Sequence, residues 1–230
     1  MERISRETGR EIRVEKGLST RIGGIKAAFE PDRKYIIIKI RDDIEEDDVN
    51  IQESIIHEAI HGLLYYGKGY CFPESRFPPT YMERESVNIL ISMVDDIVVN
   101  KIMQDEGVSP IGNVYLGMVK KETKAAEGST DIYENVSYDP IVKSRFMVYR
   151  FVMAWGYLEY YKVTRKERKI LERFLESFED AYPDEFKMAR DIVEVLSQND
   201  DFTSDGHHKA MMEILRLWEL DNLIVLRYYS

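Results

Sequence analysis

The hydrophobic pattern of this sequence changes once, near Ile40, and that change indicates the fold class. Before it lie three short segments rich in β-branched residues, EIRVEKG, GGIKAAFEP and KYIIIKI, separated by Gly23-Gly24 and Pro31-Asp32. Such segments with such breaks are typical of strands, and AAFEPDRKYIII predicts a hairpin with its turn at residues 30–33. After Ile40 the apolar residues recur at helical spacing. The sequence therefore predicts an α+β fold, with a small antiparallel or mixed N-terminal sheet followed by a helical body.

Two helices are predicted in the stretch that follows Ile40. The acidic segment RDDIEEDDVNIQE offers N-caps, and its carboxylates suit the positive end of a helix dipole. A first helix is therefore expected from about Val49 to Tyr66. The segment GKGYCFPESRFPPT (67–80) contains two glycines and three prolines and predicts a loop. A second helix is expected from about Tyr81 to Asp105.

The remainder of the chain is predicted to be nearly all helical from Asp139 onward. Pro140 stands where the first residue of a helix is expected, and three further segments with helical periodicity follow, each with an N-cap or a proline at its start. Residues 114–138 are ambiguous, and KKETKAAEGSTD within them has the composition of a solvated, mobile stretch.

Composition limits the class of partner. The chain has 230 residues, of which 44% are hydrophobic, enough for one sizeable core. Its net charge is −10, and its 32 Lys and Arg residues are interspersed with acids, which argues against a nucleic-acid partner. Cys71 is the only cysteine, and the N-terminus has no apolar signal-peptide segment. No run of 18 apolar residues exists. We therefore expect a cytoplasmic protein with no membrane partner.

The segment ESIIHEAIHGLLYYGKGY carries the clearest chemical pattern. His57 and His61 are four residues apart, so both imidazoles leave the same face of the predicted helix, about 40° apart. Two imidazoles at this spacing can bind one Zn²⁺. Glu58 lies about 100° round the helix, where it can act as the general base for a metal-activated water. Gly62 follows directly, and its small size would let another chain segment approach closely.

A catalytic zinc normally has three protein ligands. No histidine follows His61 until His207, so the third ligand is expected to be a carboxylate on the helix from Tyr81 to Asp105. The acids Asp95 and Asp96 lie between the apolar runs ILISMV and IVV, which indicates a mostly buried helix whose carboxylates need partners. This reasoning leaves four candidates, namely Glu83, Glu85, Asp95 and Asp96.

HEAIH followed by a second helix that carries an acid resembles the zincin superfamily of zinc metallopeptidases. SMVDDIVVN is also similar to the acid-and-asparagine helix of bacterial and archaeal metallopeptidases with an aspartate or glutamate third ligand. The resemblance covers residues 50–103. It implies Asp96 as the third ligand, with Asn100 one turn later orienting a ligand. Glu85 is the second choice, because Ile89 one turn after it can orient nothing, and Asp95 is the third.

The resemblance implies a zinc-dependent metallopeptidase that acts on peptides or proteins, with Glu58 as general base. It also implies a single zincin-like domain, with a sheet region at 1–48, metal-site helices at 49–105 and a helical subdomain at 106–230. One alternative is a non-catalytic or regulatory binding module. Another is a metal-dependent amidohydrolase of a non-peptide substrate. His207 and His208 are either packing histidines or, in the catalytic interpretation, stabilisers of an oxyanion.

Overall fold

The computed structural model describes residues 1–18, 27–44, 49–108, 113–128, 130–200 and 202–229. This part of the chain contains eight helices: α1 Glu2–Thr8, α2 Val49–Gly67, α3 Tyr81–Asp105, α4 Asn113–Glu127, α5 Pro140–Tyr160, α6 Arg165–Ala181, α7 Pro183–Gln198 and α8 Ser204–Leu217. It also contains five strands: β1 Glu11–Lys16, β2 Ala27–Pro31, β3 Tyr35–Ile40, β4 Cys71–Ser75 and β5 Ile224–Tyr228. The predicted α+β class, with a small mixed sheet and a helical body, is confirmed.

The chain divides into two compact units, 1–72 with 228–230, and 73–227. The first unit contains a three-stranded sheet of order β1-β3-β2, in which β1 is parallel and β2 antiparallel to β3. The expected β2–β3 hairpin is present. Its turn is held by the Asp32 carboxylate, which accepts hydrogen bonds from the backbone N–H groups of Lys34 and Tyr35 at 2.8 Å each.

Helix α2 packs on this sheet and buries one face of β3. Ile36, Ile38 and Ile40 alternate along β3 and are each 0% exposed. A Cβ built on Gly62 would lie 2.7 Å from Ile36 Cγ2, closer than van der Waals contact allows. The expectation of a close chain approach at Gly62 is therefore confirmed.

The second unit is a helical assembly in which α5 contacts α3, α6 and α7, while α4 packs on α6 and α8 on α3 and α7. Its core is apolar and rich in aromatic side chains, including Phe151, Phe174 and Phe178. The unit also contains a buried ion pair, in which Arg150 donates to Glu122 through two nitrogens at 2.8 and 3.0 Å. This bidentate contact ties α5 to α4.

Helix α1 was not predicted from the sequence. Two sequence expectations were wrong. The predicted loop 67–80 contains β4, which pairs with the unpredicted strand β5 at the far end of the chain. KKETKAAE belongs to α4, and its Glu122 and Thr123 are buried rather than solvated. Some segments used in the sequence analysis lie outside the described residues, namely Gly23-Gly24, residues 45–48 before α2 and part of GVSPIGN. None of the described helices is long and apolar enough to cross a membrane.

Candidate metal centre

The histidine pair lies on α2 in the first unit. The Nε2 atoms of His57 and His61 are 3.3 Å apart, and the two rings meet at 65° with their centroids 5.0 Å apart. Two Zn–N bonds of about 2.05 Å at a tetrahedral angle would place the nitrogens about 3.3 Å apart. The separation of the two nitrogens therefore matches that of two ligands of one tetrahedral ion.

The packing of α2 fixes where these imidazoles point. Ile51, Ile55, Ala59 and Leu63 are at most 4% exposed and form the apolar face of the helix. The histidines lie on another face, where His61 is 6% exposed and its ring stacks on Tyr65 at 22°. The close contact at Gly62 thus fixes the position of the helix that carries both imidazoles.

Glu58 contacts the edge of the sheet. Its Oε2 accepts a hydrogen bond from the backbone N–H of Phe29 at 2.7 Å. Phe29 is on β2, which in the described part of the chain is hydrogen-bonded to β3 alone. The bond orients the carboxylate from outside its own helix. It has no local signal in the sequence, because 29 positions separate the two residues.

Asp96 lies on α3 in the second unit and is half-buried. Its charge acts on tyrosines of the same unit. Burial, followed by the charge of Asp96, raises the pKa of Tyr149 to about 12 and the pKa of Tyr161 well above 10. These phenols stay protonated at neutral pH and remain hydrogen-bond donors. Tyr161 uses its hydroxyl to donate to the carbonyl of Ile97 at 2.6 Å.

Asp95, next along α3, faces a different partner. Its Oδ1 lies 2.6 Å from His207 Nε2, and both side chains are 0% exposed. This arrangement favours the packing interpretation of His207. A signal for it existed in the sequence, because His207 is in register with Met211, Ile214 and Trp218 on an apolar face, where a histidine needs a polar partner.

The other predicted residues also lie in the second unit. Asn100 is buried, and its Nδ2 donates to the Tyr157 hydroxyl at 3.4 Å. Glu85 pairs with Arg84 at 3.2 Å in the second turn of α3. His208 is partly exposed on α8. Within each unit, the structure thus joins His57 to His61 and Asp95 to His207.

Comparison with known proteins found no family model, no curated protein and no solved structure that matches this chain.

Proposed function

We propose that this chain is a zinc-dependent metallopeptidase in which His57 and His61 bind Zn²⁺ and Glu58 is the general base. The observation that carries the proposal is the 3.3 Å separation of the two Nε2 atoms, with Glu58 on the same helix. It supports a metal site because two ligands of one tetrahedral ion need this spacing.

Asp96 is the proposed third ligand. The resemblance of SMVDDIVVN to the acid-and-asparagine helix of zinc metallopeptidases supports this choice. Asp96 ranks before Asp95, whose carboxylate is fully buried against His207. It ranks before Glu85, which contacts the Arg84 guanidinium. Imidazole nitrogens and a carboxylate oxygen are the donors typical of catalytic zinc.

The chemistry follows from the proposed ligands and base. When bound, Zn²⁺ would supply Lewis acidity to water and to the substrate carbonyl. Glu58 would accept a proton from the attacking water and pass it to the leaving amine, so that one water and one peptide bond give a carboxylic acid and an amine. The Phe29 N–H would hold one carboxylate oxygen during this transfer, leaving the other to exchange the proton.

Peptides are the proposed substrates for two reasons. The first is the resemblance of HEAIH and SMVDDIVVN to zinc metallopeptidases. The second is the place of Glu58 beside β2, whose backbone in the described part of the chain pairs on one side alone. An extended peptide can hydrogen-bond to such an edge as an additional strand.

Zinc content and hydrolysis together test the proposal. Elemental analysis of the purified chain should find about one zinc per molecule, with loss of zinc in His57→Ala and Asp96→Ala. Glu85→Gln is the matched control on α3 and should keep its zinc. Glu58→Gln should also keep zinc but lower the hydrolysis of a quenched-fluorescence peptide library by roughly 100-fold or more.

The other outcomes favour the alternatives. Zinc retained in Asp96→Ala but lost in Glu85→Gln would move the third ligand to Glu85. Zinc bound without any Glu58-dependent hydrolysis of peptides or small amides would leave a binding module. A wild-type chain that takes up no zinc after metal is added back would overturn the proposal.

A further inference from the structure

Helix α6 carries a row of exposed charges in which the two signs are separated along the helix. Helical spacing places five of these residues within an arc of about 80° on one face. They are Arg165, Lys169, Glu172, Glu176 and Asp180, and all five are exposed. We call this set the charged stripe. Its cations lie toward the N-terminus of α6 and its acids toward the C-terminus, so the stripe has a positive half and a negative half.

This separation of signs is unfavourable for α6 by itself. Like charges four residues apart on a helix repel each other. Arg165 and Lys169 have this spacing, and so do Glu176 and Asp180. A cation in the first turn and an acid in the last turn, as Arg165 and Asp180 are, also oppose the helix dipole. In the described part of the chain, none of these four side chains has an ion-pair partner. The stripe therefore lacks compensation within its own chain.

A second copy of α6, lying antiparallel to the first, carries the complementary charges. A two-fold axis that crosses α6 between residues 172 and 173 places Arg165 of one copy opposite Asp180 of the other. The same axis places Lys169 opposite Glu176. Because such an interface is isologous, each pair occurs twice. A partner of one sign would match one half of the stripe and repel the other half, so the pattern favours a second copy.

A groove of about 1060 Å³ runs beside the charged stripe. One wall is α6, with Lys169, Glu176 and Asp180, and the other lies at the end of α4. Arg173 donates to both carboxylate oxygens of Glu127 at 2.7 Å each, which joins α6 to α4. The groove gives the long side chains of a second α6 room to enter beside the stripe.

We propose that two copies of this chain associate through the charged stripe, with their α6 helices antiparallel across a two-fold axis. Arg165 with Asp180 and Lys169 with Glu176 form the ion pairs between the copies. Exposed ion pairs contribute little each, so the dimer is weak, and added salt dissociates it. The interface uses no residue of the proposed metal centre, and its test requires no zinc.

Sedimentation velocity of the full chain at low ionic strength tests the proposal. The dimer fraction of the wild type should rise with protein concentration and fall as salt is added. Lys169→Glu places two acids opposite each other, and Glu176→Lys places two lysines opposite each other. Each variant should raise the dissociation constant of the dimer at least roughly tenfold. Lys187→Glu is the matched control, because it makes the same change of charge at an exposed position on α7. It should keep the wild-type dimer.

An equal mixture of the two α6 variants tests the antiparallel register. The Lys169→Glu copy has acids at both positions and the Glu176→Lys copy has lysines at both, so a heterodimer regains every pair. We expect the mixture to dimerise about as well as the wild type, although each variant alone does not. Damage to the fold of either variant would prevent this recovery.

Three results would overturn the proposal. A wild type that stays monomeric up to about 500 µM in low salt would leave the stripe to a different partner or to solvent. Variants that dimerise like the wild type would place the contact on another face of the molecule. A mixture that stays monomeric would exclude the antiparallel pairing of α6.

Discussion

At Gly62, helix α2 lies so close to β3 that a methyl group does not fit. A Cβ there would meet Ile36 Cγ2 at 2.7 Å and Ile36 Cδ1 at 3.0 Å, and Ile36 is 0% exposed in the sheet core. Alanine favours helices over glycine by about 1 kcal/mol, but overpacking costs about 1–3 kcal/mol. The net effect is a loss, and we expect Gly62→Ala to lower the free energy of unfolding in urea by up to about 2 kcal/mol.

Gly117→Ala is the matched control, because Gly117 lies inside α4 and a Cβ there meets no atom of the described residues within 4 Å. That variant should gain about 0.5–1 kcal/mol of stability. Equal stabilisation by both substitutions would mean that Ile36 rearranges without cost. The Gly62 contact could be predicted from the sequence because a small residue beside a chemical motif suggests a close approach. The identity of Ile36 as the partner could not, because 26 positions separate them.

Among the helices, α3 and α8 are joined by the fully buried pair of Asp95 and His207, 2.6 Å apart. Removing one partner takes this hydrogen bond from the other side chain, which is also fully buried. We expect Asp95→Leu or His207→Leu alone to lower the free energy of unfolding by about 1–3 kcal/mol. The double variant should lose less than the sum of the two, since it replaces the pair by apolar side chains. Additive losses in urea denaturation would show that the two side chains act independently.

The contribution of the β2–β3 hairpin to the free energy of unfolding is expected to depend on pH. Backbone hydrogen bonds from Lys34 and then Tyr35 lower the pKa of Asp32 below its usual 3.8. A carboxyl whose pKa is lower in the folded state stabilises the fold above its unfolded pKa, and this contribution disappears as pH falls through the folded pKa. Wild type should therefore exceed Asp32→Asn in unfolding free energy at neutral pH, and the difference should shrink below about pH 4. A difference that does not vary with pH would contradict this.

Local periodicity explains which elements the sequence predicts correctly. The predicted bounds of α3 agree with the structure at both ends, and Thr80 and Glu83 form a capping box at its N-terminus. Strands β4 and β5 have five residues each and pair across about 150 positions, so neither carries a local signal. Likewise, KKETKAAE in α4 was predicted to be solvated, and this was wrong because Glu122 accepts a hydrogen bond from Arg150, which lies far along the chain. The histidine spacing is local, whereas the Glu58 contact with Phe29 is not.

For the molecule as a whole, the proposed zinc site has a thermodynamic consequence. His57 and His61 belong to one compact unit and Asp96 to the other. An ion that uses all three as ligands would stabilise both units together, by about 2.7 kcal/mol when free zinc is 100 times the dissociation constant. The zinc-loaded chain should then unfold in a single transition, and the midpoint of this transition should rise as the zinc concentration rises. His61→Ala should show no such shift.

Hydrogen exchange read by mass spectrometry identifies which units the metal stabilises. Added zinc should slow amide exchange in β3, in the core of the first unit, and in α5, in the core of the second. The Asp96→Ala variant keeps His57 and His61. In this variant, zinc should no longer slow amide exchange in α5, because the second unit would no longer contribute a ligand. Slower exchange in β3 alone in the wild type would mean that the histidine pair binds zinc without Asp96. The third ligand would then have to be a residue of the first unit or water.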